Sequence, residues 1–325
     1  MKKEKTMTYP YAASTSDFVL ALKDNDSSIE RKQKASKVAH VLTLIFTYLF
    51  LVVMGLIIIF PFYWMIITSL KNPIEIKASV PTFFPTMGLH WENYSRAFEF
   101  LNFGTLLRNT LIVGILSTLG TLVTTILAAY AFAKMNFKGK NVLFALMLGS
   151  MMIPGEMFVI TNFISVSRLG WIGGDGNLGY FAAMIVPFWI SIFYIYLLRQ
   201  NFKQIPNELY LAAKVDGKSD WSYLWKVMVP LAMPTLTTIF ILKLMGAWNS
   251  YIWPQLILGS EKKELWLITN GLRETSFLGP GETDTGLKFG AQMAGTVIVT
   301  VPLLLLFIFF RKYIMRGVGR AGIKG

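Results

Sequence analysis

The chain has no cysteine in its 325 residues, which excludes a disulfide framework, a thiolate metal centre and a cysteine nucleophile together. Histidine is almost missing as well. His40 and His90 stand on either side of a long apolar run, so no histidine metal site is expected. Acidic residues are few, 18 against 31 Lys and Arg, and they form neither a paired carboxylate site nor a nucleophile with a base in reach. A catalytic site of the chain's own is therefore not expected. Equally lacking is any polar stretch beyond about 45 residues, too short for a soluble domain with its own core. Energy for any work must come from a partner or from an ion gradient.

What the chain has in abundance is apolar surface: 54% of residues are hydrophobic and 14% aromatic. Val41 to Phe60 runs without a charge and at about 1.5 Å per residue covers the roughly 30 Å hydrocarbon core. Leu111 to Ala133, Val142 to Phe163, Tyr180 to Leu198 and Phe289 to Phe310 read the same way, and a sixth run, Val227 to Trp253, contains Lys243. The runs are continuous rather than alternating, so helices are expected and a barrel is not. The fold class expected is an all-α integral membrane protein with six transmembrane helices. The first run lacks a small-residue cleavage site and reads as a retained anchor.

Charge sets the direction. Lys and Arg number 21 on the side holding residues 1–40, 134–140, 199–226 and 311–325, and nine on the other. The basic side is the expected cytoplasmic side, with both termini on it. After acidic residues are subtracted, this bias accounts for the whole net charge of +13, and nucleic acid is not an expected partner. The organisation expected is a cytoplasmic extension over 1–40, a first span over 41–69, an outer segment over 70–105, a five-helix core over 106–310 and a cytoplasmic tail over 311–325. An amphipathic run around Trp91 to Phe100 is expected to lie flat on the outer surface. The outer loop bearing Gly279, Gly281, Glu282 and Asp284 is polar and glycine-rich, as an adaptable segment reaching for a partner would be.

Glu156 and Lys243 are the two charges inside apolar runs, and such residues are functional candidates by default. They can pair, or each can reach separately to headgroups or water. Pro154, Pro187, Pro230, Pro234 and Pro302 are expected to shape helices. Gly286, Gly290 and Ala294 have the spacing of a close helix contact, and Trp248 and Trp253 read as interface anchors.

The polar passage ELYLAAKVDGKSDWSYLWKVMVP, Glu208 to Pro230, interrupts the apolar runs. Asn207 is placed to cap a short helix with Leu209, Ala212 and Ala213 on one side, and Gly217 suits its left-handed stop. Ser219 or Asp220 is placed to cap a second. The first is about two turns, too short to stand alone in water, so it needs a docking surface or lies along the headgroups as a link. Ala212 to Ser219 loosely matches a phosphate loop, but a helix precedes it and Asp216 repels phosphate, so nucleotide binding is not expected here.

Leu211-Ala212-Ala213, three residues, Gly217, nine residues and then Val227-Met228-Val229-Pro230 resembles, in full spacing, the EAA loop of the permeases of ABC importers. Trp91-Glu92-Asn93-Tyr94, Ala247-Trp248-Asn249 with Trp253-Pro254, and the ending YIMRGVGRAGIKG are similar to the carbohydrate-uptake, MalG-like branch. The resemblance covers roughly residues 40–325. It implies a MetI/MalG-like type I permease fold in a bacterial cytoplasmic membrane, forming half of a pathway for an oligosaccharide or related polyol. It implies a second permease subunit, two ATP-binding subunits that use ATP and magnesium, and an extracytoplasmic solute-binding protein, with no cofactor held by this chain. The EAA loop, 206–230, would couple to the ATPases through Glu208, Leu211, Ala212, Ala213, Asp216, Gly217 and Pro230. The tail would contact them through Arg316, Gly317, Gly319 and Gly322, and the loop at Gly279 to Asp284 would meet the binding protein. The family's glutamate is Leu211 here, so apolar packing replaces a charged contact, with Glu208 one turn earlier taking part of its role. The alternative is an ion-gradient-driven transporter or channel with Glu156 as the ion site.

Overall fold

The computed structural model describes residues 15–174 and 176–319, with side chains described over 39–174 and 176–312. Among the described residues the chain is helical and contains no strand. Its order is α1 (Thr15–Ser69), α2 (Pro73–Ile76), α3 (Glu92–Phe100), α4 (Phe103–Lys134), α5 (Lys140–Ser150), α6 (Val159–Arg168), α7 (Asn177–Ile185), α8 (Ile192–Gln204), α9 (Asn207–Val215), α10 (Asp220–Tyr223), α11 (Val229–Leu231), α12 (Met233–Trp248), α13 (Ile252–Leu258), α14 (Ile268–Glu274) and α15 (Thr285–Gly319).

Three stretches are long and apolar enough to cross a membrane unbroken: Ala39–Ser69, Phe103–Lys134 and Thr285–Lys312. Three more runs are helix pairs bent at a short break, by 93° between α5 and α6, 49° between α7 and α8, and 76° at Ala232 before α12. Counting each pair as one span gives the expected six, but three of them are not straight rods. The run from Val142 to Phe163 turns at Met151 to Pro154, and the run from Val227 to Trp253 shortens to a helix over Met233–Trp248. Proline is the cause at each break: Pro154, Pro187 and Pro234 stand at or beside helix starts, where a missing N–H costs nothing. Pro302 sits inside continuous α15.

Contacts divide the chain into two units, Met1–Trp64 and Met65–Gly325. In the first, the described side chains of α1 are almost all exposed, as lipid-facing apolar residues are. The second contains two cores. One joins α3, α4, α7, α13, α14 and α15 around Leu101, Ile185, Trp253, Ile268 and Phe277. The other lies at the opposite end of α4, around Tyr130, Leu198, Phe202, Tyr223 and Met228. Trp248 and Trp253 both belong to the first core, so neither is an interface anchor; the Trp253 indole donates to the Ala183 carbonyl at 3.1 Å.

The expected amphipathic helix forms as α3 and packs by its Asn93 and Ala97 side on α15. Asn93 is buried and donates to the carbonyls of Ser69 (3.0 Å) and Lys71 (2.9 Å). Gly290 makes room for it, since a Cβ there would sit 2.6 Å from the Asn93 Oδ1. A Cβ on Gly286 would lie 2.4 Å from the Pro73 carbonyl oxygen, and Ala294 is fully buried. The small-residue spacing thus marks a close approach, as expected.

Because the obstacle at Gly286 is backbone, Gly286→Ala should destabilise the fold by about 1–3 kcal/mol. Gly246, in the interior of α12 with open space around its Cβ position, is the control. Gly246→Ala should be neutral or stabilising by about 0.5–1 kcal/mol. Thermal unfolding of the two purified variants in one detergent checks this, and equal midpoints would refute the contact.

Candidate functional site: the α9 helix and the 279–284 loop

The polar passage folds as two helices on the second core. Pro206, not Asn207, occupies the N-cap position of α9; the Asn207 side chain instead accepts a hydrogen bond from the Lys134 ammonium at 3.3 Å. Proline has no side-chain acceptor, so the first amides of α9 have no side-chain cap. Gly217 takes φ +70°, and the Lys218 amide returns to the Ala213 carbonyl at 2.9 Å, closing the helix as expected. Ser219 caps α10 by accepting from the Ser222 amide at 3.2 Å.

One carboxylate holds these pieces together. Asp220 accepts from the Tyr210 hydroxyl (2.9 Å), the Tyr130 hydroxyl (3.1 Å) and the Lys214 ammonium (3.1 Å). It thereby ties α9 to α4 and α10, and by accepting a hydrogen bond from the Lys214 ammonium it raises that group above the usual lysine range. The Tyr210 ring meets the Tyr223 ring edge-on at 5.2 Å.

This mounting decides which face of α9 is free. Tyr210 and Ala213 turn inward against the core, while Glu208, Leu209, Leu211, Ala212 and Val215 face out, with Val215 88% exposed. Leu209, Ala212 and Ala213 share one face of α9 as expected, with Ala213 at its edge, half-buried against the core, and Leu209 and Ala212 exposed. Asp216 and Pro230 are exposed, Pro230 lying in α11 just before the bend. Trp221 and Trp225, which the sequence reading did not select, extend the outward apolar surface with their rings 5.7 Å apart. Their spacing of four on an exposed helix was the available signal.

At the other end the outer loop is tethered. Glu282 forms a two-pronged pair with Arg96 (2.5 and 3.1 Å) and accepts from the Gly279 amide at 2.7 Å. Asp284 pairs with Lys77 at 2.8 Å and caps α15 through the Gly286 amide at 2.7 Å. Gly281 takes φ +79°, and buried Phe277 anchors the preceding strand of chain in the first core. The loop is thus folded back on α3 and α2 rather than extended.

The two intramembrane charges are not an ion pair. Lys243 donates to the Phe188 carbonyl at 3.0 Å, and Glu156 lies exposed in the single 3-10 turn, Gly155–Phe158, between α5 and α6. Glu156 borders a cavity of about 840 Å³ with Asn249, Tyr251, Thr269 and Arg273. Lys243 borders another, of about 300 Å³, with Ser117, Tyr194 and Ser250. Phe188, Ser250 and Trp253 line both, so the broken spans bring the two charges to adjoining hollows whose walls are mostly apolar and aromatic with a few polar groups. Among the described residues no group of three His, Asp or Glu is placed to hold a metal ion. Arg316, Gly317 and Gly319 lie on the last turns of α15, and Gly322 lies outside the described residues.

A profile of the family described as binding-protein-dependent transport system inner membrane component matches residues 120–320, from the middle of α4 past the end of α15. The chain belongs to that family. Similar curated proteins include the arabinooligosaccharide transport permease AraQ of Bacillus subtilis, 28% identical over 85% of this chain and 94% of its own length. The trehalose/maltose transport permease MalG of Thermococcus litoralis is 30% identical over 84% and 94%. Among solved structures, a bacterial ABC transporter for import of the acidic polysaccharide alginate superposes with a TM-score of 0.69, covering 93% of this chain and 99% of that one at 22% identity. That likeness establishes the fold. The permease family accounts for broken helices around a polar path, since irregular backbone at membrane depth is tolerated where it is buried in protein or lines a cavity.

The tether makes the outer loop sensitive to acid. The Arg96 guanidinium holds the Glu282 carboxyl, and the Lys77 ammonium the Asp284 carboxyl, below their ordinary ranges. A depressed carboxyl contributes fully above its unfolded value and is lost as pH falls through its folded value. Protection of the amides of residues 279–287 from exchange, taken relative to the intrinsic rate at each pH, should fall below about pH 4, and Arg96→Ala should lower it at pH 7. Protection in Arg96→Ala equal to that of the unchanged protein would show that the pair does not hold the loop.

Proposed function

We propose that this chain is one permease half of an ATP-driven importer for an oligosaccharide or related polyol, paired with a second permease subunit. Two ATP-binding subunits meet it on the cytoplasmic side, and a solute-binding protein delivers substrate outside. The observation that carries the reading is α9: a nine-residue helix mounted on its own core by Asp220 with an apolar outer face of Leu209, Leu211 and Val215. A helix that short is marginal by itself, and an exposed apolar ridge on it costs solvation unless a partner covers it. The family match and the names of the relatives, several of them oligosaccharide permeases, support both the docking role and the substrate class.

The gradient-driven alternative has little support. It needs Glu156 as an ion site, yet Glu156 is exposed on a turn and no acidic cluster surrounds it among the described residues. The adjoining hollows at Glu156 and Lys243 suit a polyhydroxylated solute, with aromatic faces from Phe188, Tyr251 and Trp253 beside amide and hydroxyl groups. The last turns of α15 with the residues beyond them, Arg316 to Gly325, are the tail contact in this reading, and the tethered loop at Gly279 to Asp284 is the surface offered to the binding protein.

Two measurements test the proposal. Leu211→Asp in the assembled transporter should leave membrane insertion intact and reduce transport by tenfold or more, because a carboxylate desolvated without a partner costs several kcal/mol. Full transport by that variant would remove α9 as the docking element, whereas Ala213→Asp is a poor probe because Ala213 packs inward. Separately, in intact cells a membrane-impermeant maleimide should label a cysteine at Gly281 and should label one at Lys138 only after the membrane is opened. Labelling of both in intact cells would refute the assigned topology.

A further inference from the structure

A third hollow, more polar than the two at the broken spans and sharing no lining residue with them, lies where α4 ends, α5 begins and α8 ends. It measures about 600 Å³ and is lined by Asn136, Gly139, Lys140, Asn141, Arg199 and Lys203, with no acidic residue in its wall. Arg199 is only 6% exposed, its Nε donates to the Phe132 carbonyl at 3.1 Å, and its guanidinium lies 3.7 Å from the centre of the Phe144 ring. Phe144 in turn contacts Phe132 at 5.5 Å and stacks on Tyr196 at 6.4 Å, so the guanidinium is fixed in place. Among the described residues neither Arg199, Lys140 nor Lys203 has a carboxylate within 4.0 Å. The Lys140 ammonium donates to the Met135 carbonyl at 2.7 Å. Three cations around one hollow, one of them buried, are unfavourable without an anion. The fixed planar fork of arginine matches a phosphate.

We propose that this hollow seats the phosphate of an anionic lipid headgroup. The membrane setting decides between a lipid and a dissolved anion. The hollow's own wall includes Ala133, Phe137 and Val142, and Val142, Leu143 and Leu146 beside it are exposed apolar residues of a membrane span. A headgroup in the hollow would leave its acyl chains along that surface, whereas a free phosphate would leave the apolar rim uncovered. The leaflet rests on the topology under Proposed function, which places Lys138 and Lys140 on the cytoplasmic side; basic pockets between spans on that side suit anionic headgroups. The seated lipid would pin the α4–α5 turn to the end of α8.

The full-length chain, purified with its partner subunits into nanodiscs of equal phosphatidylglycerol and phosphatidylcholine, is released into native mass spectrometry and its retained lipids are counted. Retention should favour phosphatidylglycerol, and Lys140→Gln with Lys203→Gln should reduce that preference about tenfold. Arg199→Gln should abolish it; the double lysine variant keeps the test valid if Arg199→Gln fails to fold. Unchanged preference in the lysine variant overturns the proposal. So does displacement of the lipid by millimolar inorganic phosphate, which would assign the site to a dissolved anion, or a partner-subunit carboxylate found in the hollow of the assembled complex. Loss of the lipid with Lys138 still shielded from outside would fail this inference and leave the topology standing; retention with Lys138 labelled from outside would do the reverse.

Discussion

Lipid offers no hydrogen bonds, so each carbonyl freed by a broken span must be answered by a side chain from a neighbouring helix. The break between α7 and α8 shows the constraint most fully. Pro187 ends the regular helix, and the carbonyls of Phe188 and Trp189 are met by Thr121 (2.9 Å), Thr124 (2.5 Å) and Lys243 (3.0 Å). Gly120 lets the Trp189 ring approach, since any Cβ there would fall 2.1 Å from it. Lys243 thus has a structural partner in the backbone, which makes a buried ammonium tolerable without a carboxylate.

That constraint makes α4 the post of the second unit. Near its outer end Asn109 donates to the carbonyls of Glu264 (2.8 Å) and Trp266 (3.2 Å), and Thr110 accepts from the Ile268 amide at 2.8 Å. Its middle answers the broken span, and its inner end meets α9 through Tyr130 and Lys134. Polar side chains spaced along one apolar helix therefore fix three otherwise irregular regions. Under the proposed function, a displacement of α9 by an ATPase would be carried to α4 through Tyr130 and Asp220, and α4 touches both walls of the polar path at Ser117 and Phe188. The energetic cost of burying Asn109, Thr110 and Thr121 is offset because each bonds a backbone carbonyl, whereas the buried hydroxyls of Thr118 and Thr125 on the same helix have no partner among the described residues.

The sequence by itself determined the membrane class and the six apolar runs, because apolar length is a local property that solvent reads directly, and its Lys/Arg asymmetry sets the expected direction. It also determined the stop at Gly217 and the close contact at Gly286 and Gly290, since a left-handed turn and a missing Cβ are properties of single residues. The EAA spacing made the permease family legible. Tertiary structure alone decided the rest. Helical period put Leu209, Ala212 and Ala213 on one face, but the Asp220 network set how α9 is seated, with Tyr210 and the Ala213 edge against the core and Leu211 and Val215 outside. Glycine content made the outer loop look free, but Arg96 and Lys77, more than 180 residues earlier in sequence, hold its two carboxylates. Glu156 and Lys243 looked alike as charges within apolar runs; proline breaks put one on an exposed turn and gave the other a carbonyl 55 residues away. Each of these outcomes depends on partners distant in the chain, and no local pattern carries that information.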